Sequence, residues 1–241
     1  MKAPSLPRRL LAEFIGTAAL LAVIVGSGHM GEMLAQGNAA IALLANSTAT
    51  GLALYVLIVL FAPVSGAHFN PAVSLALALR RAVHWREALA YFPVQIAGAI
   101  SGVILAHAMF GLDPITLGTR VRSGPGIWLS ETIATLGLLL TILLGHRARP
   151  SQVPALVGAY IAAAYWFTAS TAFANPAVTI GRMLTATYAG IAPASAPAFI
   201  TAQIAGGALG TALAVVIYPA RTAPAPAGRP PQSADLEGAA L

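Results

Sequence analysis

Apolar residues occur in six stretches that are each long enough to cross a bilayer, and short polar or turn-forming segments separate them. A membrane-spanning helix needs about 20 mostly apolar residues, so the pattern predicts six such helices. Their expected bounds are 10–28, 41–61, 85–110, 127–145, 153–171 and 196–218. Two further apolar stretches, 70–79 and 175–186, are too short to cross, and each follows a turn-forming segment.

The two short stretches occupy matching places in the two halves of the chain. Non-helical backbone at membrane depth is tolerated only where protein or a water-filled cavity satisfies its polar groups. Paired short segments of this kind therefore indicate re-entrant half-helices and point to a transport path.

An internal repeat organises the chain. EFIGTA at 13–18 corresponds to ETIATL at 131–136, NPAV at 70–73 recurs at 175–178, and QIAG at 95–98 recurs at 203–206. Because each half holds three full spans, an odd number, the second half must be inverted in the bilayer. The sequence predicts an all-α membrane protein with an inverted 3+3 repeat in one channel domain, 1–218, with repeat one at about 8–110 and repeat two at about 127–218.

Composition and charge support a membrane protein. Hydrophobic residues make up 58% of the chain and charged residues 8%, against about 25% charged in ordinary globular domains. The net charge of +6 would suit nucleic acid, but the cations are scattered at segment ends, so no nucleic-acid partner is expected. Ten cations lie on the side predicted to be cytoplasmic: Lys2, Arg8, Arg9, Arg80, Arg81, Arg86, Arg147, Arg149, Arg221 and Arg229. The other side holds Arg120, Arg122 and Arg182.

This asymmetry predicts cytoplasmic N- and C-termini under the positive-inside rule. The first apolar run contains Glu13 and lacks a clear cleavage pattern, so it is expected to be a retained span and not a signal peptide. The Pro- and Ala-rich tail, 219–241, is expected to be disordered. Short loops suggest a bacterial inner membrane. With no cysteine and no metal-ligand spacing among five histidines, neither a cofactor nor a metal nor an enzymatic function is expected.

Two Asn-Pro-Ala motifs carry the candidate chemistry. Proline suits the first turn of a helix and asparagine the cap before it, so each motif predicts the start of a half-helix. In inverted halves these starts meet near the middle, where two positive dipole ends repel cations and the asparagine amides can donate to a passing solute. The motif residues are Asn70, Pro71, Ala72, Asn175, Pro176 and Ala177.

The segment SGAHFNPAV at 65–73 resembles the first pore loop of the aquaporin and aquaglyceroporin family, also called the major intrinsic proteins, and the resemblance covers roughly 8–218. It implies six tilted helices and two half-helices around one pore per protomer, a homotetramer, and passive flow of water or small neutral solutes. It also implies that Glu13 and Glu131, which are costly inside apolar spans, accept hydrogen bonds from the pore-loop backbone, and that His68 helps to hold that loop.

The position directly after the second Asn-Pro-Ala departs from the family pattern. Most relatives place an arginine there, at the narrowest constriction, whereas this chain has Val178. By spacing, the resemblance assigns the other filter positions to Thr50, Ala163 and Ala172. These side chains are small or medium-sized and uncharged, which predicts a wide opening for glycerol-like polyols, urea and undissociated metalloid acids. Some bacterial relatives with altered filters handle arsenic, and the chain resembles them in lacking the arginine.

Arg182 lies four residues beyond Val178, on nearly the same face of the half-helix. Two orientations are open: into the outer mouth as a vestibule cation, or away from it, paired with a loop carbonyl or Glu32. Protons and alkali cations are expected to stay excluded. Three alternatives are a water-selective pore, a closed-pore junction protein and a coupled secondary transporter, although no acidic residue for coupling lies beside either pore motif. Gating by the loop at 111–126 is also open.

Overall fold

The computed structural model describes residues 4–218, which form eight α-helices and no strand. The helices are α1 (Leu6–Leu34), α2 (Ala39–Ser65), α3 (Pro71–Leu79), α4 (Trp85–Phe110), α5 (Pro125–Ala148), α6 (Val153–Phe167), α7 (Pro176–Arg182) and α8 (Ala196–Ile217). Short 3-10 helices at Pro150–Gln152 and Pro193–Ser195 precede α6 and α8. Lys2, Arg221, Arg229 and the predicted disordered tail lie outside the described residues.

Six of these helices are the predicted membrane spans, so the predicted fold class is confirmed. Five of them, α1, α2, α4, α5 and α8, are long and apolar enough to cross a membrane by themselves. The sixth, α6, has 15 residues and ends at Phe167, four positions before the predicted end at 171. It stops there because Thr168 adopts an extended backbone (φ −106°, ψ 138°), which leads the chain into the second re-entrant loop.

The two half-helices begin at Pro71 and Pro176, directly after the asparagines that cap them. The second half-helix, α7, ends at Arg182, earlier than the predicted limit of 186. Beyond it the chain pairs with the loop that connects α4 to α5, where the Gly118 amide donates to the Met183 carbonyl at 2.8 Å. The loop at 111–124 is thereby tied to the end of the pore-lining segment.

The inverted repeat is visible in the helix packing, since α1 packs along α4 and α5 packs along α8. Small-xxx-small pairs allow this close approach, because a Cβ at any of these glycines would overlap backbone of the facing helix. The facing pairs are Gly98 with Phe14, Gly102 with Ala18, Gly206 with Thr132, and Gly210 with Leu136. These glycines therefore serve helix packing.

Gly206→Ala is expected to lower the free energy of unfolding by about 1–3 kcal/mol, the usual cost of overpacking. The added methyl group would meet the Thr132 backbone, which cannot move without shifting α5. Gly126→Ala is the matched control, because its Cβ would have no atom within 4 Å. Thermal unfolding of the purified variants in detergent measures the difference, and equal midpoints would contradict this account of the α5–α8 contact.

Candidate functional site

A cavity of about 540 Å³ runs between the two half-helices, within the size range of small-molecule sites. Its wall is mostly apolar and includes Ile24, Leu54, Ile58, Ile142, Val157 and Ile161. Asn70 and Asn175 lie in this wall. One end, which we call the α7 end, is lined by Ala172, Val178 and Arg182, while Arg80 and His146 line the opposite part. The bundle therefore encloses a path with few polar groups.

The two motif asparagines join the half-helices to each other. The Asn70 side-chain oxygen accepts from the Ala72 amide at 2.9 Å, and its Nδ2 donates to the Ala174 carbonyl at 2.8 Å. Asn175 repeats the arrangement, accepting from the Ala177 amide at 2.9 Å and donating to the Phe69 carbonyl at 2.8 Å. Each carboxamide has a second N–H. Since both asparagines line the cavity, these second hydrogens are available to a passing hydroxyl or water.

Glu13 holds the first re-entrant loop. Its carboxylate accepts from the His68 amide at 2.9 Å and the Phe69 amide at 2.7 Å. The Ser65 hydroxyl at 2.7 Å and the Gln95 Nε2 at 2.8 Å donate to the same group. A fully buried carboxylate is costly unless hydrogen-bonded, and here four donors surround it.

Glu131 does the same for the second loop. It accepts from the Phe173 and Ala174 amides at 2.9 Å each and from the Gln203 Nε2 at 2.6 Å. Gln95 and Gln203 were not among the predicted site residues, although the QIAG repeat marked both. Their equivalent contacts with the two glutamates explain why that repeat exists.

Both re-entrant loops contain non-glycine residues with positive φ. Ala67 and Phe69 lie in the first loop at φ 51° and 49°, and Thr171, Ala172 and Ala174 in the second at 62°, 45° and 47°. Such conformations are uncommon and persist where the surroundings hold them. The hydrogen bonds from the loop amides to Glu13 and Glu131 hold the two loops in these conformations.

His68 lines the cavity and also supports its loop. Its Nδ1 lies 3.0 Å from the Ser74 hydroxyl, and its ring meets the Tyr91 ring edge-on at 5.1 Å. Both contacts tie the loop to α3 and α4.

Three of the four predicted filter residues, Thr50, Ala172 and Val178, line the cavity, and all three are buried. Ala163 does not: it is exposed on the outside of α6 and is absent from the cavity wall. The residue that faces inward is Tyr165, whose hydroxyl donates to the Thr50 Oγ1 at 3.4 Å. Positions two apart on an α-helix differ by about 200° in direction, so the structure contradicts the placement of Ala163 at the cavity, and Tyr165 lies there instead.

Arg182 combines features of both orientations that the sequence left open. It is 1% exposed and lines the cavity, and its Nε donates to the Ala189 carbonyl of the following loop. The guanidinium carbon lies 3.4 Å from the centre of the Phe173 ring. Among residues 4–218, the Nη1 atom is buried and has no hydrogen-bond partner. Pairing with Glu32 is not observed.

Arg122 is a second buried cation at the same end, and no sequence motif had marked it. Its Nε donates to the Gly190 carbonyl at 3.2 Å, and its guanidinium carbon lies 5.1 Å from the Phe173 ring centre. Burial, followed by repulsion from Arg182 and Arg120, lowers the pKa of Arg122 to about 9. The group therefore stays charged at neutral pH.

Six spanning helices around a continuous cavity, with two asparagine-capped half-helices joined at its wall, define a membrane channel for small solutes. More particularly, the chain belongs to the major intrinsic protein family, whose profile matches residues 1–168. The predicted family and the predicted channel class, as opposed to an enzyme, are thereby confirmed.

Individual relatives agree with this assignment. The chain is 51% identical over 208 residues to aquaglyceroporin AqpS of Rhizobium meliloti (strain 1021), covering 86% of this chain and 89% of that one. It is 33% identical over 164 residues to probable aquaporin PIP2-8 of Oryza sativa subsp. japonica, covering 63% and 58% of the two chains. The solved aquaglyceroporin from Plasmodium falciparum shares the fold, with a TM-score of 0.74, 21% identity and coverage of 89% of this chain and 98% of that chain.

Proposed function

We propose that this channel conducts neutral solutes larger than water: glycerol-like polyols, urea and undissociated metalloid or arsenical acids, together with water. The observation that carries the proposal is the cavity wall beside the second motif, where Val178 takes the place of the arginine usual in the family. Ala172 and Thr50 add little bulk there, and Tyr165 is the large side chain that faces the same part of the cavity. Resemblance to an aquaglyceroporin over most of the chain supports the same solute class.

The mechanism follows from the mixed wall. Apolar side chains accept the carbon backbone of a polyol, while the free amide hydrogens of Asn70 and Asn175 donate to its hydroxyls. A hydrated alkali cation would lose its water shell without gaining acceptors in an apolar wall, and Arg182 would repel it. Protons and alkali cations are therefore excluded although Val178 carries no charge.

We also propose a homotetramer in a bacterial inner membrane, with both termini in the cytoplasm. Large apolar side chains exposed on α2, among them Leu52, Val56 and Leu60, support burial in lipid or against another subunit. Arg80 and His146 lie at the end opposite Arg182, in keeping with the ten-to-three distribution of cations along the sequence.

Stopped-flow light scattering on proteoliposomes facing an inward glycerol gradient tests the solute class. We expect fast shrinkage and then fast reswelling in the parent. In Val178→Arg we expect reswelling to slow by roughly tenfold, which corresponds to about 1.4 kcal/mol added to the barrier. Empty vesicles give the background rate.

The two phases separate the alternatives. Fast shrinkage without faster reswelling than in empty vesicles would mean a water-selective pore. Absence of both phases would favour a gated or coupled transporter. A proton current attributable to the purified protein would contradict the proposed exclusion of cations.

A further inference from the structure

Positive charge at the α7 end has no negative partner. Arg182 and Arg122 both lie against the Phe173 ring, and Arg120 is close enough to repel them. Over residues 4–218, the ion pair formed is Arg9 with Glu87, on another part of the protein, and neither buried guanidinium pairs with a carboxylate.

Glu131 is the carboxylate that acts on Arg182, but both of its oxygens already accept hydrogen bonds. Its two oxygens accept from the Phe173 and Ala174 amides and from Gln203. It therefore cannot turn toward Arg182 without releasing the second pore loop. Besides Glu131, the exposed Glu32 is the carboxylate that acts on this region, and three arginines outweigh the two carboxylates, so the field at the α7 end is positive.

Arg182 has donor capacity that the protein leaves unused. Its Nε is bonded to Ala189, but its Nη1 is buried without a partner while the side chain lines the cavity. An unsatisfied buried donor on a charged group is expensive. A ligand that brings an acceptor oxygen would satisfy it, and a charged acceptor would do so best.

We propose that the α7 end of the pore is a binding site for small monovalent oxyanions, held by the guanidinium of Arg182, whose side chain lines the cavity. The tetrahedral or planar oxygens of such an anion match the guanidinium fork, and Val178 and Ala172 leave space for one small apolar substituent. A divalent anion is excluded, because the cost of desolvation rises steeply with charge while the site offers one guanidinium whose Nε is already bonded. The proposal rests on the same pore as the proposed function and adds an ionised substrate class to the neutral one.

Methanesulfonate is a suitable probe, because it is ionised at every accessible pH and carries one methyl group. Methanesulfonamide has nearly the same shape without the charge. Isothermal titration calorimetry on the purified full-length protein in detergent compares the two at constant ionic strength. We expect methanesulfonate to bind the parent at least roughly tenfold more tightly, as one charge-assisted hydrogen bond implies.

Three variants locate the site. Arg182→Gln is expected to remove the preference for the anion. Arg182→Lys keeps the charge and loses the planar fork, so it should retain a weakened preference for the anion. It provides the test if the glutamine variant fails to fold. Arg120→Gln removes an exposed positive charge from the same side and should leave the preference intact.

Equal affinity of the parent for the two probes would overturn the proposal, and so would an unchanged preference in both Arg182 variants. Loss of the preference in Arg120→Gln alone would place the anion on the surface and would overturn it as well. Calorimetry does not depend on flux. A parent that binds methanesulfonate but fails to pass glycerol would therefore contradict the proposed function and leave this site standing.

Discussion

Glu131→Leu is expected to leave little folded channel. The substitution removes the acceptor for the Phe173 and Ala174 amides and for Gln203, all in the buried interior. Each unsatisfied buried donor costs about 1–3 kcal/mol. Three of them together approach the total stability of an ordinary domain, about 5–15 kcal/mol. The loop residues with positive φ that depend on these bonds would relax, and the second half-helix would lose its position.

Size-exclusion chromatography of the detergent extract and thermal unfolding of any folded fraction measure this effect. Glu131→Gln keeps an acceptor oxygen and should fall between the parent and the leucine variant. Glu32→Leu is the matched control, since Glu32 is an exposed glutamate. A Glu131→Leu protein with the parent's elution profile and unfolding midpoint would show that the loop holds itself in place.

The spans were predictable because a helix needs about 20 mostly apolar residues to cross the hydrocarbon core of a bilayer. The fourth helix begins at Trp85 and ends at Phe110 as predicted, and both half-helices begin at the prolines that the motifs indicated. The repeat followed from matching segments of sequence, and its inversion followed from the odd number of spans in each half. These features depend on local sequence and on the bilayer, so no tertiary contact was needed to predict them.

The error at Ala163 has a physical origin. Its assignment assumed that distance in sequence from Asn175 determines which face of α6 points inward. The intervening loop contains Thr171 and Ala172 with positive φ. Their left-handed backbone changes the direction of the chain between α6 and Asn175. The helical phase of α6 is set by packing against α2 and α5, and sequence spacing alone does not show it.

The two buried arginines, Arg182 and Arg122, show a second limit of prediction from sequence. Arg182 was recognised as a candidate because it follows Val178 by one helical turn, but its contact with Phe173 depends on two segments meeting in space. Arg122 comes from a different loop, with no motif around it, and reaches the same ring. A cation cluster assembled from separate loops has no signature along the chain.

Ala172→Leu is expected to reduce glycerol flux by at least tenfold, whereas Ala163→Leu is expected to leave it unchanged. Ala172 is 2% exposed and lines the cavity, so the added side chain projects into the path. A barrier raised by about 1.4 kcal/mol is enough for a tenfold loss. Ala163 faces outward, where a leucine meets lipid or a neighbouring subunit.

The pair is matched in chemistry, because both substitutions turn an alanine of the second repeat into a leucine. Proteoliposome reswelling in a glycerol gradient gives the flux, and thermal unfolding shows whether each variant is intact. Slowed reswelling in an intact Ala163→Leu protein, with normal flux in Ala172→Leu, would mean that α6 is rotated and that Ala163 lines the pore. The reverse result would place the narrow part of the path between Ala172, Val178 and Tyr165, where Arg182 can also reach a passing solute.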